Sequence, residues 1–384
     1  MGTRKLAIWV MTDEYPPDMI GGLGVVAHQL TERFRQAGHE LFVLGTGRTK
    51  HLEIRQEASG VKIAKVPGKV PKYRKDRYCF EPKAVLGELK DDFGKVPDLV
   101  HVHSPEYVGI AEILSSHHQV PIVYTCHSLT SGRKYVLKAK KQARLLRLAN
   151  RIAVPSKWMA SRIKRKFPGL EGKIVVIPNG IDVVNQPSHE QGSPYQLLYA
   201  GRIAPLKGIA SLIRAFARLN RRNKQASLTI IGSGRPAFEK KMRLLARKLR
   251  VNHRIRWIPR VTHEEMQGMY HQYGAVIVPS RLESFCLVAL EAMANEIPLV
   301  ATQAGGLKTF VDDSNAAIIK SCTPTGIVHA VRQMWQNRQL TAERLVKARE
   351  TANRYQWSDI VQQYLDLFGQ LTASVPEVQE EKES

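Results

Sequence analysis

Ser280-Arg-Leu-Glu283-Ser-Phe-Cys-Leu-Val-Ala-Leu-Glu291 follows directly on Ala275-Val-Ile-Val-Pro279. The short unbroken apolar run before the proline reads as a strand buried on both faces. Leu287 to Ala294 reads as a short apolar helix, so strand, tight loop and helix start sit together. The first N–H groups of a helix have no internal partner. Here they are expected to be the amides of Ser284, Phe285, Cys286 and Leu287, a seat for phosphate or sugar oxygens. Glu283 stands at the mouth of that seat, and Glu291 lies about two helical turns further on. Two carboxylates on the edge of an anion site suit a ligand carrying both hydroxyls and phosphate. The plain alternative is that Glu283 caps the helix and Glu291 is solvated, since helix starts favour acids.

Outward from this stretch the same unit recurs. Gln196-Leu-Leu-Tyr-Ala-Gly reads as a strand, Arg202-Ile-Ala-Pro-Leu-Lys207-Gly as a loop, and about Ile209–Leu219 as a helix. Strands follow at Ser227–Gly232, Ile255–Ile258 and Pro298–Thr302, and Thr262-His-Glu-Glu265 has the pattern of a capping box. In the first half, strands are expected at Leu6–Met11, Glu40–Gly45, Val61–Val66, Leu99–His103, Pro121–Cys126, Arg151–Ser156 and Lys173–Pro178. The first of them runs into Gly21-Gly22-Leu-Gly24 and a helix, an arrangement that can cradle phosphate or form a plain turn. Ser104-Pro-Glu is expected to open a helix with serine as cap. His127 stands just past the carboxyl end of a strand, where open α/β sheets place ligands. His101 and His103 have the spacing of a metal pair without a third ligand nearby, so they read as structural or loosely lining.

Two runs of alternating strand and helix predict two doubly wound domains that meet at the carboxyl ends of their strands and form a cleft. Gly21–Gly24, His127, Arg202–Lys207 and Glu283–Glu291 all fall in strand-to-helix loops on that edge. The expected domains are 1–183 and 184–356, with a helix over about 357–371 packing back on the first and an acidic tail at 372–384.

Composition narrows the class. The four cysteines form no C-x-x-C pair, which argues against a disulfide scaffold or a structural zinc site and fits a cytoplasmic setting. The formal charge is +24, and Arg133 to Lys166 holds thirteen basic residues and no acid. Such a field draws polyanions, among them anionic lipid. Gly232-Ser-Gly-Arg-Pro-Ala237 fits a dinucleotide loop, but His253–Arg260 lacks the acid a nicotinamide site wants.

The ordered set resembles the family-four retaining nucleotide-sugar glycosyltransferases, which have the GT-B fold. The matching residues are Gly21-Gly22, His127, Arg202 to Lys207, Pro178-Asn-Gly-Ile-Asp182, Glu283 to Glu291 and Ala304-Gly-Gly306. The resemblance implies two Rossmann-like domains facing each other across a cleft. It implies that Arg202 and Lys207 bind the donor diphosphate, Glu291 the ribose and Glu283 the transferred sugar. It places the amides of Ser284, Phe285, Cys286 and Leu287, with those of Gly21 and Gly22, on sugar and phosphates. Val261 would border the base, and His127 would lie against the donor sugar; catalysis would rest on His127, Arg202, Lys207 and Glu283. No D-x-D occurs, so neither a metal nor a cofactor beyond the nucleotide-diphosphate sugar is expected.

Cys286 stands where the family most often has glycine, and Ser284 where glycine or proline is common. Met19 stands where bacterial glycogen synthases carry lysine, which argues against a starch or glycogen synthase. The expected activity is retaining hexosyl transfer to a hydroxyl acceptor, lipid-linked or on an envelope glycan. The protein would be cytoplasmic and peripheral on the inner membrane face through Arg133–Lys166. The alternative is a small-molecule acceptor in soluble metabolism. A non-enzymatic nucleic-acid-binding protein is a remote alternative, and no nucleic-acid partner is expected.

Overall fold

The computed structural model describes residues 4–17, 21–47, 51–67, 81–93, 96–130, 132, 135–183 and 192–373. The chain divides into two compact units. One holds Met1–Pro155, Ala160–Ile177 and Ile360–Ser384, and the other Ser156–Met159 and Pro178–Asp359.

The first unit is built on an eight-stranded sheet. Its strands are β1 (Ala7–Thr12), β2 (Glu40–Gly47), β3 (Glu53–Gln56), β4 (Lys62–Pro67), β5 (Leu99–Val102), β6 (Ile122–Thr125), β7 (Arg151–Val154) and β8 (Ile174–Val176), in the order β3-β4-β2-β1-β5-β6-β7-β8. All neighbours are parallel except β3 and β4. β1, β5 and β6 are buried at every position, which is why they read as unbroken apolar runs. The helices are α1 (Gly22–Gln36), α2 (Pro82–Phe93), α3 (Val108–His118), α4 (Val136–Leu148) and α5 (Lys157–Lys166), whose first residues, through Met159, fall in the second unit.

The second unit carries a six-stranded, wholly parallel sheet. β9 (Gln196–Ala200), β10 (Ser227–Ile231), β11 (Ile255–Ile258), β12 (Ala275–Val278), β13 (Leu299–Ala301) and β14 (Ala317–Ile318) lie in the order β11-β10-β9-β12-β13-β14. The helices are α6 (Ile209–Arg222), α7 (Pro236–Lys248), α8 (His263–Met269), α9 (Leu287–Ala294), α10 (Pro324–Gln336), α11 (Arg338–Asn353) and α12 (Trp357–Thr372). In α6, Ile209, Leu212, Ile213, Phe216 and Leu219 recur at helical spacing and enter the core on one side of the sheet. Phe285, Leu290 and Met293 join the core on the other side. The unit ends at Asp359 inside α12, and the rest of that helix belongs to the first unit. There Phe368 packs on Phe34 of α1, ring centroids 5.1 Å apart, and Tyr364 hydrogen-bonds to Thr125 at 3.0 Å. Two doubly wound parallel-sheet units are the GT-B architecture that the sequence pattern implied.

Several local expectations change. Ser104-Pro-Glu opens a single 3₁₀ turn, Pro105–Tyr107, before α3; the Ser104 hydroxyl caps no helix and instead accepts the Asp13 amide at 3.2 Å. α4, Val136–Leu148, lies within the basic stretch, and Arg133 and Lys134 lie outside the described residues. So do Met19, residues 184–191 and the tail beyond residue 373. The capping box is present: Thr262 Oγ1 accepts the Glu265 amide at 3.1 Å, and Glu265 Oε2 accepts the Thr262 amide at 2.7 Å.

Candidate active site

In the second unit, the loops after β9 and β12 meet. The Lys207 ammonium lies 2.6 Å from Glu283 Oε1, and the Ser280 hydroxyl donates to the same oxygen at 2.7 Å. Glu283 is 8% exposed, so its charge is held by these two partners rather than by water. The backbone around the pair is fixed from both sides. Gly208, at φ +71°, sits where a side chain would overlap the Pro279 carbonyl. The Gly306 amide donates to the Glu283 carbonyl at 2.8 Å, and Gly305, at φ +64°, passes too close to that carbonyl to carry a side chain. The carbonyl of Arg202 accepts from Tyr199 at 2.8 Å, while the Arg202 side chain is exposed.

The helix starts where the sequence reading put it, at Leu287, but its free amides are not the set that reading expected. α9 begins at Leu287, and Cys286 is its cap at φ +105°, ψ +88°, a conformation that favours glycine. The unpartnered first-turn amides are therefore those from Leu287 onward, while Ser284 and Phe285 belong to the preceding loop. The Phe285 ring is core, packed on Phe310 with centroids 5.0 Å apart, so only its backbone can face a ligand. The Cys286 thiol is pushed up to about 12, chiefly by desolvation and next by the nearby Glu283 charge, and stays protonated.

Glu291 is buried in α9. Its Oε2 accepts from Tyr270 at 2.5 Å, and His263 Nδ1 lies 3.6 Å from Oε1. Burial holds its carboxyl above the ordinary glutamate value, opposed by His263 and the Tyr270 hydrogen bond. A solvated Glu291 is thus excluded. Val261, half-buried, stands two residues before α8.

The first unit holds the remaining predicted residues. Gly21 caps α1, and its amide already donates to a carboxylate, Glu14 Oε2, at 2.8 Å; Gly22 is the first residue of the helix. His127 follows β6, half-exposed, and its Nε2 lies 2.9 Å from Nδ1 of His103. His101 is paired elsewhere, with Nε2 2.7 Å from Thr125 Oγ1. The histidine pair is thus engaged with protein partners, and among the described residues no group of three or more His, Cys, Asp or Glu is disposed to hold a metal ion. The His103–His127 contact escaped the sequence reading, although H-x-H and T-C-H at the ends of neighbouring strands carried the signal.

Comparison with known proteins now adds the family. The glycosyl transferases group 1 family matches residues 182–353, and the Glycosyltransferase Family 4 description matches residues 20–185. A glycogen synthase of Mycobacterium tuberculosis is 30% identical over 92% of each chain. The chain belongs to the group 1 glycosyltransferases. Among solved structures, a sucrose-phosphate synthase from Thermosynechococcus elongatus superposes with a TM-score of 0.81 at 21% identity, over 97% of this chain and all of the other. HepE of Anabaena, crystallised with UDP-glucose, gives 0.75 at 17% identity, over 95% of this chain and all of the other. This group 1 glycosyltransferase is therefore an enzyme of the GT-B fold. Among the described residues no helix is long and apolar enough to cross a membrane.

Proposed function

We propose that this glycosyltransferase moves a hexosyl unit from a nucleotide-diphosphate sugar to a hydroxyl acceptor with retention at the anomeric carbon, without a metal or further cofactor. The observation that carries the reading is the Lys207–Glu283 pair, held 2.6 Å apart beside the first turn of α9. As the bond from the anomeric carbon to the diphosphate breaks, charge gathers on the leaving oxygens, and Arg202, Lys207 and the first-turn amides of α9 neutralise it. The acceptor oxygen forms its bond on the same face, and its proton passes to the departing phosphate. Glu283, anchored by Lys207 and Ser280, takes sugar hydroxyls and does not attack. Glu291 takes the ribose, the backbone at Val261 borders the base, and Gly21 and Gly22 support the phosphates. His127 lies against the donor sugar. The UDP-glucose bound by HepE makes that the first donor to test.

The test is a screen of nucleotide sugars for turnover, followed by the proton coupling at the anomeric carbon of the product. Retained configuration, with activity intact after chelation, is expected; an inverted product refutes the mechanism.

A peripheral membrane attachment and a lipid-linked or otherwise anionic acceptor belong to the same proposal. Tyr135, Val136 and Leu137 support it: they stand 40%, 49% and 51% exposed at the start of α4, whereas Leu145 and Leu146 enter the core. The charge available is smaller than the sequence count. Lys138 lies 3.4 Å from Asp13, Lys141 2.5 Å from Glu106, and Arg144 pairs with Glu112. Lys140 and Arg147 of α4 and Lys164, Arg165 and Lys166 of α5 are exposed and carry the reading instead.

A further inference from the structure

We propose that His103 is a positioning residue that fixes His127 as its Nδ1–H tautomer, so that His127 meets the substrate as a hydrogen-bond donor and never as a base. The inference rests on the placement of His127 against the donor sugar in the reading above. It starts from the sheet. β5 and β6 are parallel neighbours with His101 opposite Val123 and Val102 opposite Tyr124, so His103 comes level with Thr125 and His127 follows two residues further along. His103 Nδ1 and His127 Nε2 are 2.9 Å apart, and the ring planes differ by only 21°, so one shared proton lies near both planes.

Which ring owns that proton follows from the other side of His103. His103 is 2% exposed, and its Nε2 is buried without a hydrogen-bond partner. If His127 donated, neutral His103 would have to carry its hydrogen on Nε2, an orphaned N–H in a dry core. If His103 donates from Nδ1, only a lone pair is left unmet at Nε2. Orphaned buried N–H groups are the rarer and costlier case, enough to bias the two arrangements by roughly tenfold or more. Doubly protonated rings are disfavoured, because desolvation pushes all three histidines down, His101 to about 3 and His127 to about 4, with neighbouring imidazoles adding to it at His101 and His103. With Nε2 of His127 accepting, its hydrogen must sit on Nδ1 of the half-exposed ring. His101 supports this face from behind, its ring centroid 4.2 Å from that of His103 and its Nε2 on Thr125 Oγ1, which also meets the Tyr364 hydroxyl of α12 at 3.0 Å.

The test uses the full-length enzyme labelled with ¹⁵N-histidine and two-bond proton–nitrogen spectra, with His127 assigned by His127→Gln. At neutral pH the wild type is expected to show His127 protonated at Nδ1. His103→Phe, which keeps a ring and loses the donor, is expected to release that tautomer, and His103→Asn, whose amide nitrogen can donate from about the same place, to retain it. On turnover, His103→Phe is expected to lower kcat by roughly ten- to a hundredfold with little change in donor KM, and His103→Asn to recover most of it. A wild-type His127 protonated at Nε2 overturns the proposal by itself, so a misfolded His103→Phe would not shield it. An unchanged His127 spectrum in folded His103→Phe overturns it too. A His127→Ala enzyme with full activity would instead sink the placement of His127 at the donor and leave the tautomer result standing.

Discussion

The pair Lys207–Glu283 makes a prediction about the empty enzyme that does not depend on any substrate. Glu283 is 8% exposed at the side chain and Lys207 24%, with 2.6 Å between the charges. Replacing one partner of a buried pair typically costs about 3–5 kcal/mol, because the survivor is left desolvated and unpaired. Two features lower that figure for Lys207→Met. The lysine is partly solvated, so water already screens some of the attraction, and Ser280 continues to donate to Glu283 Oε1. We expect a loss of about 2–3 kcal/mol from the second unit. Lys207→Met combined with Glu283→Gln should cost less than the two single changes added together, by about 1–2 kcal/mol of coupling. Urea unfolding followed through Trp257 and Trp335, both in that unit, reads the cycle. Additivity within about 0.5 kcal/mol would refute the reasoning, since it would mean that water and not the partner holds each charge. The catalytic role is read separately: Lys207→Met should lower kcat about 10²- to 10³-fold, more than it raises donor KM.

Cys286→Gly should stabilise the second unit by about 1 kcal/mol, the relief of about 1–3 kcal/mol at φ +105° less the entropy of an added glycine; Cys286→Ala, which keeps the strain, should not, and equal melting temperatures for the two would refute it. Glu291 holds its proton more tightly folded than unfolded, so the folded state binds more protons and this group's contribution is largest below the ordinary glutamate value, falling as pH rises from there through the raised value. Glu291→Gln should therefore flatten the pH dependence of unfolding across that window, and a parallel shift of the whole curve would count against it. Wild-type enzyme should co-sediment with anionic vesicles at low salt and be released at high salt, at about 1 kcal/mol per engaged cation. Changing Lys140, Arg147, Lys164 and Arg165 to Glu should abolish this, and a wild type that ignores the vesicles at low salt ends the membrane reading.

The fold was legible because parallel strands buried on both faces leave continuous runs. Ala275–Val278 and Leu99–Val102 are buried at every position, and nothing in their sequences competes with that reading. β3 was not legible: Glu53-Ile-Arg-Gln is a largely exposed edge strand without a period, and its antiparallel pairing with β4 comes from a turn between them. At the candidate site, residue types were legible and geometry was not. Glu283, Glu291, Arg202 and Lys207 stand out as charges in strand-to-helix loops. Which amides α9 leaves free was not legible, because the left-handed backbone at Cys286, which only glycine would have announced, leaves Ser284 and Phe285 in the loop. The His103–His127 bond is hidden because it depends on β5 and β6 being neighbours, which no local window contains.

Charge shows most sharply what a linear count omits. Arg133–Lys166 reads as thirteen cations without an acid, yet Asp13, Glu106 and Glu112 come to meet them from elsewhere in the chain, Asp13 being 125 residues from Lys138. A charge compensated across the fold contributes little to the field at a distance. Between Arg202 and Arg260, by contrast, seventeen basic residues stand against one acid, Glu239, whose carboxylate is taken by the Gly234 amide. Lys240, Lys241 and Lys248 of α7 are exposed there, as are Arg218, Arg221 and Arg222 of α6. Of these seventeen, Lys207 is met by Glu283 from outside the stretch, and the exposed cations just named all lie in the second unit. If the proposed donor site is right, a diphosphate arriving there would meet attraction before it meets contact, and its capture would depend on salt even where the chemical step does not. The proposal thus divides the basicity of this chain into two parts: a partly neutralised stretch whose exposed remainder would serve the acceptor, and the cations of the second unit, which would serve the donor.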